Sequence, residues 1–111
     1  MKQLTLFGEE EKTMKTIWKY ELYPTTRLEL PKESKLLKID IQYNKPCLWF
    51  LLDPSNEKEY RMFVTYGTGH DVPDEPGQYV GTFFMNGGSL VFHVFETTSE
   101  SSCYETANTI W

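Results

Sequence analysis

Apolar and polar residues alternate through much of this chain with the period of two that is typical of β-strands. The clearest run is residues 35–43, where one face would carry Leu37, Ile39, Ile41 and Tyr43. Residues 47–52 are apolar on both faces, which predicts a central strand. The other predicted strands are residues 16–22, 27–30, 59–66 and the two arms of 79–96.

The strongest turn signal lies in residues 79–96, where two apolar arms flank Asn86, Gly87 and Gly88. Asn and Gly accept positive φ, and both arms are aromatic and β-branched, so a hairpin is expected here. Because the arms carry so few polar residues, we expect the hairpin to lie in the middle of a sheet. No segment has the pattern of an amphipathic helix. The sequence therefore predicts an all-β fold of about seven short strands, a small antiparallel barrel or sandwich.

The chain divides into a tail, a body and a second tail. Residues 1–13 include three consecutive Glu and predict a solvated segment, residues 14–96 form the β domain, and residues 97–111 are polar almost to their end. The length of 111 residues fits one small domain. An apolar content of 40% is enough for a real core, so a disordered chain is excluded.

Charge and cysteine content narrow the class of protein. The formal net charge is -5, and no Lys or Arg follows Arg61, so direct nucleic-acid binding is not expected. Cys47 and Cys103 form neither a disulfide framework nor a metal-binding pair of cysteines. No stretch is apolar for long enough to span a membrane, and no signal peptide is evident. These features predict a protein of the reducing cytoplasm.

Residues 3–7 carry a more specific signal. Gln3, Leu4, Thr5, Leu6 and Phe7 place apolar side chains on a terminal segment without an evident local partner. The run resembles the bacterial sliding-clamp-binding motif, usually written QL[SD]LF, with Thr in place of Ser or Asp. The resemblance implies that Leu4, Leu6 and Phe7 fill an apolar pocket on the clamp and that Gln3 is hydrogen-bonded at its rim. The alternative is a short edge strand or a hydrophobic staple on the body.

A second resemblance covers most of the chain. The pieces MKTIWKYEL, LELP, NKPCLWFLLDP, YGTGH, PDEPGQYVGTF and GGSLVFHVFE, all within residues 14–96, resemble a family of small uncharacterised proteins encoded by phages and prophage-bearing bacteria. The resemblance implies a phage-related protein acting in a bacterial host cytoplasm. It brings no reaction, ligand or catalytic residue. Residues 1–13 lie outside the shared body.

Residues 66–75 form the longest irregular segment of the body and the best candidate for a ligand loop. The residues expected to contact a ligand are Tyr66, Gly67, Thr68, Gly69 and His70. The glycines let backbone N–H groups approach a phosphate or nucleotide closely, and the His adds a titratable group. The motif is not a P-loop, because no GK[ST] follows. The alternative is a tight β-turn capped by its His.

Other chemistry finds little support in the sequence. His70, Asp71, Asp74 and Glu75 lie close together, but the prolines between and after them would separate them, so neither a metal nor a cofactor is expected. His93 shares a strand face with Val91 and Phe95 and should be half-buried. A pairing of His70 with His93 would be the first place to look for catalysis. Cys47 lies in an apolar run, where its thiolate is disfavoured.

These observations lead to two functional hypotheses. The first is a non-enzymatic phage accessory protein that binds the bacterial sliding clamp, the DNA polymerase III β subunit, and thereby blocks the clamp or delivers a second activity in host takeover. The alternative is a small-molecule protein that binds or sequesters nucleotides through residues 66–75. No catalytic residue is predicted in either case. The sequence leaves a homo-oligomer open.

Overall fold

The computed structural model describes residues 14–98 of the chain. They form seven β-strands, with a single 3-10 turn at Asn86–Gly88 between the last two. The strands are β1 (Thr16–Glu21), β2 (Thr25–Pro31), β3 (Lys35–Gln42), β4 (Lys45–Leu52), β5 (Lys58–Gly67), β6 (Gln78–Met85) and β7 (Leu90–Thr97). Within this range the structure has no helix with the length and apolar surface that a bilayer crossing would need.

The strands are arranged in two antiparallel sheets. Sheet A has three strands in the order β1-β4-β3, and sheet B has four in the order β2-β5-β7-β6. The sheets do not close into a barrel, so the fold is a β-sandwich. The predicted all-β, antiparallel fold of about seven strands is thus confirmed.

The core lies between the sheets and is built by alternate residues of the central strands. Leu48, Phe50 and Leu52 of β4 point inward from sheet A, and Phe63 of β5 and Val94 of β7 point inward from sheet B; each is at most 1% exposed. Burial of each such side chain stabilises the fold by about 1.5–3 kcal/mol. The prediction that residues 47–52 form a central strand is correct.

A β-bulge in β3 changes the face that the sequence predicts. The pairing with β4 shifts register between Leu36 and Lys38, so one extra residue is inserted at Leu37. Leu36, Ile39 and Ile41 therefore pack against the core, while Leu37 is exposed. Tyr43 is exposed too, because it lies in the turn before β4 with a positive φ. The prediction that Leu37 and Tyr43 share one face with Ile39 and Ile41 is thus wrong, because of these four only Ile39 and Ile41 pack against the core.

The β6–β7 hairpin forms with the predicted turn, but its position in the sheet differs from the prediction. Of the two hairpin strands, β7 has a neighbouring strand on both sides, whereas β6 is an edge strand among the strands of residues 14–98. The apolar character of β6 has another cause, since the edge of sheet A approaches it. A Cβ on Gly81 would lie 2.8 Å from Cδ1 of Ile39 in β3. This close contact covers part of β6.

Candidate functional site

The predicted ligand loop begins with a tight turn at the end of β5. The His70 N–H donates to the Gly67 carbonyl at 3.0 Å, and Gly69 between them has φ +92°, a conformation that side chains disfavour. The Thr68 N–H donates to the Val91 carbonyl at 3.0 Å. Two N–H groups of the predicted phosphate cradle therefore already have protein acceptors. The His70 ring folds back, with Nδ1 2.8 Å from where a Cβ of Gly67 would lie.

His93 connects this turn to the neighbouring hairpin through a chain of hydrogen bonds. Its Nε2 lies 2.8 Å from Thr68 Oγ1, and its Nδ1 lies 3.0 Å from Thr82 Oγ1. Thr82 Oγ1 is in turn 2.5 Å from the Tyr79 hydroxyl. We call this set of four side chains the hydroxyl–imidazole chain. It joins the turn after β5 to β6 across β7.

The hydrogen bonds of the Thr68 hydroxyl indicate which atom donates and which accepts at each step of the hydroxyl–imidazole chain. Thr68 Oγ1 donates to the Val91 carbonyl at 3.2 Å, so it accepts from His93, whose Nε2 must carry the proton. In the tautomer that carries its one proton on Nε2, Nδ1 accepts from Thr82 Oγ1, and Thr82 Oγ1 then accepts from the Tyr79 hydroxyl. One neutral tautomer of His93 therefore satisfies every member of the chain.

The hydroxyl–imidazole chain lies on the outer face of sheet B, beside an aromatic cluster. Tyr66 and Tyr79 each pack edge-on against Phe95, with ring centroids 5.8 Å and 5.6 Å apart. Val64 and Tyr66 are buried on this outer face, where they form a second apolar cluster. The predicted face of His93, shared with Phe95, is correct.

The structure does not pair His70 with His93. Gly67 lies opposite Phe92, whose side chain points into the core, and the His70 ring lies against that same side of Gly67. His93 is one residue further along β7 and points to the other face. The two rings are thus on opposite faces of sheet B. A catalytic His pair is not formed.

The tightest ion pair between described residues lies at one end of the core. Arg61 Nε and Nη2 donate to the two carboxylate oxygens of Glu96 at 2.7 Å and 3.0 Å, and Nη1 donates to the Ser34 carbonyl at 2.7 Å. The guanidinium carbon lies 5.5 Å from the Phe50 ring centroid and 5.8 Å from that of Phe63. The hydrogen bond with Glu96 raises the pKa of Arg61. The sequence analysis did not identify this pair, although the alternation along β5 and β7 places both side chains on the core-facing side of sheet B.

Three surface grooves lie away from the five residues that are expected to contact a ligand. One of about 400 Å³ lies beside Arg61 and one of about 470 Å³ beside Gln78, and Glu96 lines both. The third, of about 440 Å³, is on the outer face of sheet A between Ile17 and Trp49. None of the three is lined by Tyr66, Gly67, Thr68, Gly69 or His70, but Glu75, the last residue of the predicted ligand loop, lines the groove beside Gln78. The small-molecule hypothesis therefore stays a prediction, with the groove at Glu75 as the concave surface that reaches this loop.

Cys47 is a buried free thiol. It points to the outer face of sheet A, yet it is only 1% exposed. Burial raises the pKa of the Cys47 thiol, and its Sγ donates to the Lys45 carbonyl at 3.5 Å. Residues 14–98 contain no group of three or more His, Cys, Asp or Glu side chains placed to hold a metal ion.

The predicted partner-binding residues Gln3, Leu4, Leu6 and Phe7 lie outside the described residues, as does Cys103. The clamp-binding motif therefore stays a prediction from the sequence.

The fold defines the class of the protein as a small two-sheet antiparallel β-sandwich. The chain belongs to the family described as Domain of unknown function (DUF7352), whose model matches residues 14–103. No curated protein and no solved structure matches the chain. The matched region starts after the residues that resemble the clamp-binding motif.

Proposed function

We propose that this chain is a non-enzymatic phage accessory protein that binds the bacterial sliding clamp through Gln3, Leu4, Leu6 and Phe7. It acts in the cytoplasm of the bacterial host. The sandwich then either blocks the clamp or carries a second activity to it. The observation that carries the proposal is the match of residues 3–7 to the motif QL[SD]LF.

The place of the motif in the chain supports this proposal. The family domain begins at residue 14 and β1 begins at Thr16, so the motif precedes both. The acidic run Glu9, Glu10 and Glu11 separates the motif from the domain. A short segment of this kind can bury a few apolar anchors in a pocket of a partner and add backbone hydrogen bonds at the rim.

The size of the anchors sets the expected effect of removing them. Burial of one large apolar side chain contributes about 1.5–3 kcal/mol. Leu6→Ala with Phe7→Ala should therefore weaken binding at least about a hundredfold. The matched control is Glu9→Ala with Glu10→Ala, which makes two substitutions in the same segment outside the motif. We expect the control to change the Kd by less than about threefold.

The test is a calorimetric titration of a purified bacterial sliding clamp with the full chain and with a peptide of residues 1–13. We expect both to bind with a Kd on the order of micromolar, and the peptide to compete with the full chain. Full-chain binding that survives the Leu6→Ala/Phe7→Ala change would place the contact on another surface. Absence of binding by the full chain would refute the proposal as a whole.

A second candidate function is the binding of a small molecule such as a nucleotide through residues 66–75, and the groove of about 470 Å³ that Glu75 lines supports it. Thr68 is exposed at the start of the predicted ligand loop and is held in place by His93 at 2.8 Å. A ligand that binds only the folded state at a hundredfold excess over its Kd stabilises the fold by about 2.7 kcal/mol. Thermal melts with a panel of ribonucleotides and deoxyribonucleotides test this, and His93→Phe should abolish any shift. No shift with any nucleotide would exclude this candidate.

A further inference from the structure

We propose that two copies of this chain associate through β1, which pairs with its own copy across a two-fold axis and joins the two A sheets into one six-stranded sheet. The observations that carry this proposal are an edge of β1 with which no strand of residues 14–98 pairs, the exposed apolar residues along it, and a charge pattern that complements itself. The inference is independent of the clamp-binding proposal.

The side of β1 that faces away from β4 has no partner strand among residues 14–98. Among the strands formed by residues 14–98, β1 pairs only with β4. The Leu22 N–H donates to the Pro46 carbonyl at 2.9 Å, which extends the β1–β4 register. Alternate residues of an antiparallel strand point their N–H and C=O groups to the same side, so those of Ile17, Lys19 and Glu21 point away from β4. Such an edge is a template for another strand.

Large apolar side chains are exposed along this edge. Ile17 is 54% exposed on the outer face of sheet A, and Trp18 is 38% exposed although it points toward the core. Natural edge strands that stay single are very short, bulged, interrupted by proline or protected by charged side chains. The two charged residues of β1, Lys19 and Glu21, are opposite in sign and can pair across a two-fold axis. β1 has six residues, pairs with β4 without a register shift, and contains no proline. A partner strand would cover the apolar side chains that are exposed along β1.

One register brings matching side chains together on both faces. When the two-fold axis passes beside Tyr20, Lys19 lies opposite Glu21 of the second copy, and Glu21 lies opposite its Lys19. On the inner face Trp18 lies opposite Leu22, and the two Tyr20 side chains meet. Opposite charges are therefore paired and apolar side chains face apolar side chains.

The neighbouring registers lack this match. With the axis at Lys19, the two Lys19 side chains face each other and Ile17 lies opposite Glu21. With the axis at Trp18, Ile17 lies opposite Lys19. A shift by one residue would place the outer face of one copy beside the inner face of the other. The charge pattern of β1 thus selects the register centred on Tyr20.

The test is sedimentation velocity of the full chain over protein concentrations from about 1 µM to about 500 µM, a range that covers the weak end of specific association. We expect a monomer–dimer equilibrium with a Kd on the order of tens of micromolar. Lys19→Glu and Glu21→Lys each create two like-charge pairs in the dimer, and each should raise the Kd about tenfold or more. The double variant Lys19→Glu/Glu21→Lys restores opposite charges and should return the Kd to within about threefold of the parent.

The matched control uses Lys38 and Asp40 of β3, which form an ion pair of 3.4 Å on the outer face of sheet A away from β1. Lys38→Glu changes the net charge as much as Lys19→Glu does and should leave the Kd unchanged. A chain that sediments as a monomer over the whole range overturns the proposal. A dimer that Lys19→Glu and Lys38→Glu weaken equally, or that the double variant fails to restore, also overturns it.

Discussion

Replacing Glu96 with Gln removes the charge that faces Arg61 at one end of the core, and we expect this single change to destabilise the fold markedly. The carboxylate accepts two hydrogen bonds from the guanidinium, at 2.7 Å and 3.0 Å. The amide of Gln can accept only one of them and carries no charge. Arg61 would then remain largely enclosed by Phe50 and Phe63 with its charge uncompensated.

The exposure of the two side chains sets the magnitude. Arg61 is 19% exposed and Glu96 is 25% exposed, so this pair lies between a surface pair and a buried one. Surface pairs contribute about 0–1 kcal/mol, and breaking a fully buried pair costs about 3–5 kcal/mol. We therefore expect Glu96→Gln to lower the free energy of unfolding by about 2 kcal/mol. Arg61→Met also loses the hydrogen bond to Ser34 and should cost about 3 kcal/mol.

The assay is a double-mutant cycle measured by urea unfolding at pH 7, followed by tryptophan fluorescence and far-UV circular dichroism. The double variant Arg61→Met/Glu96→Gln should be more stable than the sum of the single losses predicts, with a coupling energy of about 1–2 kcal/mol. Because the pair is mostly enclosed, raising the salt concentration should reduce this coupling only slightly.

The exposed ion pair of Lys32 and Glu57 supplies the control. Its atoms are 3.4 Å apart, and the side chains are 52% and 80% exposed. Glu57→Gln should cost less than about 0.5 kcal/mol. The reasoning fails if Glu96→Gln and Glu57→Gln destabilise the fold equally, or if the coupling between Arg61 and Glu96 is below about 0.3 kcal/mol.

Three further predictions concern separate sites. A Cβ on Gly77, where φ is +106°, would overlap the Glu96 carbonyl. Gly77→Ala should therefore lower the free energy of unfolding by more than about 2 kcal/mol, measured as a lower urea midpoint, and an unchanged midpoint would contradict this close approach. Hydrogen bonds from the Ser55 side chain and backbone lower the pKa of Asp53, so its contribution is present above the ordinary value of 3.8 and is lost as the pH falls through the lower folded value. Asp53→Asn should therefore flatten the loss of stability measured in acid titrations; an identical acid profile would refute this. Cys47 should resist alkylation in the folded Cys103→Ser variant and react once urea unfolds it, and fast labelling of the folded variant would contradict its burial.

The fold could be predicted largely because each strand carries its own signal. Alternation marks one buried face, as in residues 35–43, and the continuous apolar run of 47–52 marks a strand covered on both sides. The bulge at Leu37 could not be predicted, because an extra residue in one strand is defined only against its partner. The edge position of β6 also depends on tertiary contacts, here the approach of Ile39 to Gly81.

The candidate site was less predictable, because register between distant segments creates it. His93 was assigned to the correct face from its own strand. Its bonds to Thr68 and Thr82 follow from the pairing of β7 with β5 and β6, across sequence separations of 25 and 11 residues. The sequence predicted the turn residues of the ligand loop, yet not that the Thr68 N–H would donate to Val91.

The β1–β4 and β5–β7 registers give the sandwich a polarity. Thr16 at the start of β1 lies opposite Leu52, and Thr97 at the end of β7 lies opposite Met62 in the first half of β5. The described chain is therefore entered and left at the same end, while the turns at Tyr43 and Asn86 lie at the other. A partner that binds the chain before residue 14 would therefore leave the turns at Tyr43 and Asn86 at the far end of the sandwich. These turns are the positions at which we expect a label or an inserted tag to be tolerated.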